Sequence, residues 1–368
     1  MKEIRSILKA YQSIDFAVHK AALVTVVRIE GSSYRRPGAR MLVLDDGTYF
    51  GGISGGCLEG DALLKAQKAM AQDKPSLCTY DTNGDGKQIG AGLGCNGIID
   101  ILFTPLHPND LQSPINLLST ISFMRQVSVL LTIMKKGMDN KFSAITFLYK
   151  NEEYFFANFP EKNIVALVLN VVKNSLIDHT SQSNIYDLDD EVITVFTEVI
   201  PPETKLIIYG GNYDIYPLIR IAKELGWHVT VVTNIYKAGK NLFEIADKII
   251  HNKSEEQPVI DTHSAVVMMA HDYKTDLHNF EITLPTKAFY IGLLGPRKRS
   301  DKMFDSLSVF LNINNEENQR RIFAPAGLDI GASNPEEISL SIISEIISCF
   351  SGRQGNSLKK RKGTIYGN

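Results

Sequence analysis

The run Lys205–Asp214, KLIIYGGNYD, passes into a helical pattern over residues 215–225 and then into His228–Thr233, HVTVVT, and this succession decides the fold of half the chain. Five residues of strand character end on two glycines, and the apolar period then changes from that of a strand to that of a helix. A strand, tight turn, helix, strand unit builds a parallel sheet and aims a helix N-terminus at its carboxyl edge, where phosphates bind in dinucleotide folds. The turn departs from that pattern. Asn212 follows Gly210 and Gly211, and Thr233 stands where an acidic ribose partner is expected, so a Rossmann-like fold is expected and NAD(P) use is disfavoured.

Working towards the C-terminus, GLLGPRKR (292–299) follows the strand pattern AFYI and precedes a helix starting near Ser300. Gly292, Gly295, Arg297 and Arg299 form a second candidate phosphate loop, with a basic helix start packed on its neighbours as the alternative. His271-Asp272 follows the apolar run AVVMMA and falls at the carboxyl end of a strand, where α/β sites gather; a buried capping pair is the other reading. In APAGLDIGASNPEEI, Asp329 and Gly331 precede a helix capped by Ser333 or Asn334.

Working towards the N-terminus, Pro201-Pro202 breaks the chain and sets the domain boundary. Residues 1–200 are one domain, 203–350 a second, and 351–368 a basic flexible tail. In the first, short strand patterns (ALVTVVRI, RMLVLDDGTYFGGI, SLCTYDT, GIIDILFTPL) surround a helix over 58–70, an α+β arrangement. Further strands are expected at 127–133, 143–156 and 193–198, around a helix near 163–174.

Cys57 stands directly after Ser54-Gly55-Gly56 and directly before that first helix. Unpaired N–H groups at a helix start favour a thiolate, by about 0.3–1 kcal/mol for a nearby charge. Glu59 and Asp61 oppose the effect, so arginines are needed as well. Arg35, Arg36 and Arg40 bracket the Pro37-Gly38 turn in EGSSYRRPGARM (30–41), with Ser32 and Ser33 beside them. Guanidinium forks on a tight turn suit a phosphate or carboxylate; a solvated basic turn is the alternative. A second glycine-rich segment, GAGLGCNG (90–97), carries Gly94 and Cys95 and suits either close backbone approach to a ligand or a hairpin.

Taken together, EGSSYRRPGARM, GGISGGCLEG, YDT, GLGCNGIIDILFTPL, IGLLGPRKR and APAGLDIGASNPEEISLSIISEI resemble the XdhC/CoxI family of accessory proteins, which mature xanthine dehydrogenase and related molybdenum hydroxylases. The resemblance spans nearly the whole chain. It implies an N-terminal XdhC/CoxI-type domain followed by a C-terminal Rossmann-like one. It further implies binding of molybdenum cofactor in the molybdopterin form, support of its sulfuration with a cysteine desulfurase as partner, and delivery to a xanthine dehydrogenase-like hydroxylase. A homodimer is expected. Molybdopterin carries a phosphate monoester, a polar pterin and a soft metal on a dithiolene, which suit arginines with glycine N–H groups and a cysteine sulfur. The expected cofactor-binding set is Ser32, Ser33, Arg35, Arg36, Arg40, Gly55, Gly56, Cys57, Glu59, Gly94 and Cys95. Gly210, Gly211, Asn212, Asp272, Gly292, Gly295 and Arg297 complete it. Cys57 is the thiol expected to touch molybdenum or carry sulfur.

Composition narrows the classes. A formal net charge of −2 gives no electrostatic case for a nucleic-acid partner. Four cysteines without a close CxxC pair point to a reducing compartment, the cytoplasm, and are too few for the clusters of a two-cluster hydroxylase. No apolar run approaches a membrane span of about 20 residues. The resemblance implies a non-catalytic cofactor chaperone, which Cys57 and the arginine cluster favour over an NAD(P)-dependent oxidoreductase, against which Asn212 and Thr233 weigh.

Overall fold

The fold is that of a computed structural model, which describes residues 1–31, 33–81, 97–137, 141–188, 191–307, 313 and 315–362. The chain divides into two compact units, Met1–Pro202 and Glu203–Asn368.

The first unit opens with α1 (Lys2–Gln12), β1 (Ala21–Gly31), β2 (Arg40–Leu44), β3 (Tyr49–Gly51), α2 (Glu59–Gln72), β4 (Ser76–Asp81) and β5 (Gly97–Leu106). The strands pair antiparallel in the order β3-β2-β1-β5-β4. Helices cover both faces of this sheet. Ala22, Val24 and Val26 of β1 pack under α2, whose Ala62, Ala66 and Ala69 keep its axis close, while Ala21 and Leu23 pack under Ile4, Ile7 and Leu8 of α1. Burial on both faces is why ALVTVV reads as a continuous apolar run rather than an alternating one.

The unit continues with α3 (Pro114–Ser122), β6 (Ser128–Gly137), β7 (Phe142–Tyr149), α4 (Glu152–Asn158), α5 (Val165–Asp178), β8 (Gln182–Leu188) and β9 (Glu191–Ile200). These strands form an antiparallel sheet, β7-β6-β9-β8, and α4 and α5 bury Phe155, Val168 and Val172 against it. The strand expected over 143–156 ends at Tyr149, because the Asn151 side chain accepts the Tyr154 N–H at 2.8 Å and starts α4, with Glu152 and Glu153 in its first turn. Neither α3 nor β8 was expected from the sequence. Val27, Leu102, Met134 and Phe196 form the apolar contact between the two sheets.

The second unit runs β10 (Lys205–Tyr209), α6 (Ile215–Glu224), β11 (His228–Thr233), α7 (Lys240–Ile245), β12 (Lys248–His251), β13 (Ser264–Met268) and α8 (Tyr273–Thr283). It ends with β14 (Tyr290–Leu293), α9 (Arg297–Leu307), α10 (Glu316–Arg321), β15 (Ile322–Phe323) and α11 (Pro335–Phe350). All six strands are parallel, in the order β12-β11-β10-β13-β14-β15. That order is the doubly wound one, in which β10 and β13 flank the topological switch point. Leu206 and Ile208 face the core under α6 and α11, whereas Ile207 and Tyr209 face the core under α8 and α9. Among the described residues, no helix is long and apolar enough to cross a membrane.

Candidate functional site

Cys57 is exposed on the loop between β3 and α2, and one hydroxyl organises that loop. Ser54 Oγ accepts the N–H groups of Gly56, Cys57 and Leu58, each at 3.1 Å, and the Cys57 thiol lies 3.5 Å from it. Ser54 thus occupies the N–H groups of the thiol's own residue and its two neighbours, down to the N-cap Leu58 of α2. Glu59 turns beneath the loop, accepting the Ser54 N–H at 2.8 Å, the Ile53 and Leu58 N–H groups at 3.2 Å, and the Ser54 hydroxyl. Burial opposes ionisation of Glu59, but the donors from Ser54 and the backbone prevail and hold its carboxyl below the ordinary range. Glu59 is thus a buried strut of the loop. Asp61 accepts the Tyr80 hydroxyl at 2.6 Å and pairs with Lys65.

The Arg-rich turn lies beside this loop through Tyr34, whose Cγ and Cδ1 lie 3.7 Å from where a Cβ on Gly55 would stand. Arg35 and Arg40 have different carboxylate partners. Arg35 pairs with Glu3 of α1, and Arg40 is buried in a pair with Glu198 of β9, while Arg36 is exposed. The Arg40 N–H also donates to Glu3 at 3.0 Å, so both carboxylates hold the turn against the sheet. Ser33 is half-buried. Ser32, Gly94 and Cys95 lie outside the described residues.

In the second unit the expected residues gather along the carboxyl edge of the parallel sheet, with different jobs. Gly210 and Gly211 are required by packing: a Cβ on Gly210 would overlap the Met269 carbonyl, and one on Gly211 the Thr233 hydroxyl. Asn212 is exposed beside them. Asp214, at the start of α6, meets His271 Nε2 at 2.6 Å across the switch point. His271 has φ 60°, a left-handed conformation that side chains seldom adopt. Asp272 is exposed and caps α8, accepting the Thr275 N–H at 2.8 Å and hydroxyl at 2.6 Å.

Gly292 lies inside β14 rather than in the expected phosphate loop, with a Cβ there only 2.8 Å from Tyr290 Cε1. Helix α9 begins at Arg297, which is exposed, and Arg299 pairs at 2.6 Å with the buried Asp276 of α8. Gly295 and the loop carrying Gly327, Asp329 and Gly331 line a cavity of about 270 Å³. Ser54, Tyr34, Asp214 and Asp276 were not named as site residues from sequence. Ser54 had a local signal, a hydroxyl placed two to four residues before the N–H groups it accepts.

An antiparallel unit presenting a cysteine on a pinned loop, followed by a Rossmann unit, defines a two-domain class of α/β protein. A model of the XdhC and CoxI family matches residues 17–81, and a model of the XdhC Rossmann domain matches residues 206–346. The chain belongs to the XdhC/CoxI family. A Bacillus subtilis (strain 168) protein, named as a probable component of xanthine dehydrogenase, is 28% identical over 335 residues, covering 89% of this chain and 92% of that one. The "Molybdenum cofactor insertion chaperone PaoD" of Escherichia coli (strain K12) is 23% identical over 330 residues, 89% of this chain and 83% of its own. A crystal structure described as a xanthine dehydrogenase from Bacillus halodurans superposes with a TM-score of 0.74 at 27% identity, covering 96% of this chain and 97% of that one.

Proposed function

We propose that this chain binds molybdenum cofactor in its molybdopterin form as cargo, holds it for sulfuration and inserts it into a xanthine dehydrogenase-like molybdenum hydroxylase. The observation that carries the reading is the exposed Cys57 thiol on a loop fixed by Ser54 and Glu59, beside the turn bearing Tyr34, Arg35 and Arg36. A sulfur on a rigid loop suits a soft metal or its terminal sulfur. Exposed Arg36, with Arg35 shared between Glu3 and the ligand, suits a phosphate monoester. Arg40 keeps the turn in place through Glu198 and is not assigned to the ligand. The names of the relatives, one of them a molybdenum cofactor insertion chaperone, support cargo and client. A cysteine desulfurase supplies sulfur to the held cofactor, and the chaperone works as a homodimer in the cytoplasm.

The test is the molybdenum and pterin content per chain, for wild type and Cys57→Ala, after reconstitution with molybdopterin-type cofactor and removal of excess. Activation of an apo-hydroxylase is measured alongside. Stoichiometric binding by the wild type, lost in the variant together with activation, is expected; no binding by the wild type overturns the reading.

A second reading, an NAD(P)-dependent oxidoreductase, is favoured by the doubly wound strand order alone. Thr233 packed on Gly211 and Asn212 in the turn weigh against it. Thermal shift with NADH and NADPH separates the two, since a ligand at 100 times its Kd stabilises the folded state by about 2.7 kcal/mol.

A further inference from the structure

We infer that Tyr34 is the platform on which the pterin ring of the cargo stacks; this rests on the cofactor-carrier reading and names the residue that reads the organic part of the ligand. Tyr34 is 70% exposed, although it stands between the half-buried Ser33 and Arg35. Its Cγ and Cδ1 lie 3.7 Å from where a Cβ on Gly55 would stand, an ordinary van der Waals distance, so the ring sits beside the loop two residues before the thiol. The neighbouring loop is fixed by the Ser54 and Glu59 hydrogen bonds, so the exposed ring stands next to a held backbone. A tyrosine has two rotatable side-chain bonds and a large planar surface, so ordering it against a flat ligand costs little entropy.

The chemistry of the neighbours selects the ligand. The exposed Cys57 thiol on the loop suits a soft metal and the exposed Arg36 guanidinium on the turn suits an anion, which leaves the planar part of the cargo to an aromatic face. The aminopyrimidinone half of the pterin is planar, and its hydrogen-bonding groups lie on its edge. Such rings stack on aromatic faces much as nucleobases do.

The experiment uses the full chain and two probes: molybdopterin-form cofactor released from a molybdoenzyme, and a 6-substituted pterin lacking dithiolene, metal and phosphate. Tyr34→Ala is expected to weaken cofactor binding about tenfold, equivalent to ~1.4 kcal/mol. Tyr34→Phe and Tyr34→Trp stay within twofold of wild type, a rescue that a hydrogen-bonding or purely structural role of the hydroxyl would not give. Quenching of the plain pterin's fluorescence is lost in Tyr34→Ala and kept in Cys57→Ala. If Tyr34→Ala binds cofactor as wild type does while Cys57→Ala loses it, the platform is wrong and the carrier reading stands. If the wild type binds neither probe, both fall.

Discussion

Arg40 on β2 and Glu198 on β9 form a two-pronged ion pair between the two sheets of the first unit, with side chains 4% and 8% exposed. Arg40 Nη1 donates to Glu198 Oε1 at 2.8 Å and to the Gly38 carbonyl at 2.7 Å. Gly38 has φ 94°, and a Cβ there would come within 2.6 Å of Glu198 Oε1, so the glycine serves the turn's conformation and the approach of the carboxylate together. An arginine that reads in sequence as part of an anion clamp is thus a strut within the fold.

Removing one partner of that pair leaves a buried charge uncompensated. Glu198→Gln is expected to cost about 3–5 kcal/mol, whereas the Arg40→Met, Glu198→Met double variant recovers most of the loss. Chemical denaturation of the three proteins checks this; a single variant as stable as wild type would show the pair to be dispensable.

Ser54→Ala removes the acceptor shared by three N–H groups on the loop leading into α2. Gly56 and Cys57 are exposed to water and Leu58 keeps Glu59 as an acceptor, so the expected cost is about 0.5–1.5 kcal/mol, with faster amide exchange confined to residues 56–58. Unchanged exchange there would mean that the loop is held by Glu59 alone.

The Glu59 carboxyl ionises below its ordinary range in the folded chain. A group whose folded value is depressed contributes stability above its unfolded value, near ~4.3, and loses it as pH falls through the folded value. Glu59→Gln is therefore expected to be less stable than wild type at neutral pH, with the gap closing below about pH 4. Melting curves from pH 7 to 3 test the sign, and a gap that widens on acidification would contradict it.

Thiol labelling should separate the two ends of the chain. Cys57 is exposed, whereas burial, with Glu345 nearby, pushes the Cys349 thiol up to about 11. At pH 8 a thiol of that kind is almost wholly protonated and slow to react. Peptide mapping after brief iodoacetamide treatment is expected to find Cys57 alkylated and Cys349 intact; equal labelling would refute the assigned environments.

Gly211→Ala drives a Cβ into the Thr233 hydroxyl, with Thr233 Cβ 3.1 Å away. The single variant is expected to lose about 1–3 kcal/mol by overpacking, and Gly211→Ala with Thr233→Ala to regain part of it. A double-mutant cycle on thermal stability supplies the coupling; simple additivity would place the clash elsewhere.

Sequence alone determined the elements whose signal is local. KLIIY followed by Gly210-Gly211 and an amphipathic helix announced a parallel α/β unit, and Cys57 ahead of Leu58 announced a thiol at a helix start, because periodicity and turn chemistry act over a few residues. The glycines of 210–211 were legible as necessary, but their reason, contact with Met269 just past β13 and with Thr233 of β11, was not. Tertiary structure alone decided that β13 lies beside β10, that Asp214 meets His271 57 positions away, and that Arg40 spends its guanidinium on Glu198, 158 positions away. A side chain's partner is fixed by which strands become neighbours and which face each residue takes. Pairings between distant residues leave no periodic mark on the chain, so an arginine bound for an internal carboxylate and one bound for a ligand look alike until the chain folds.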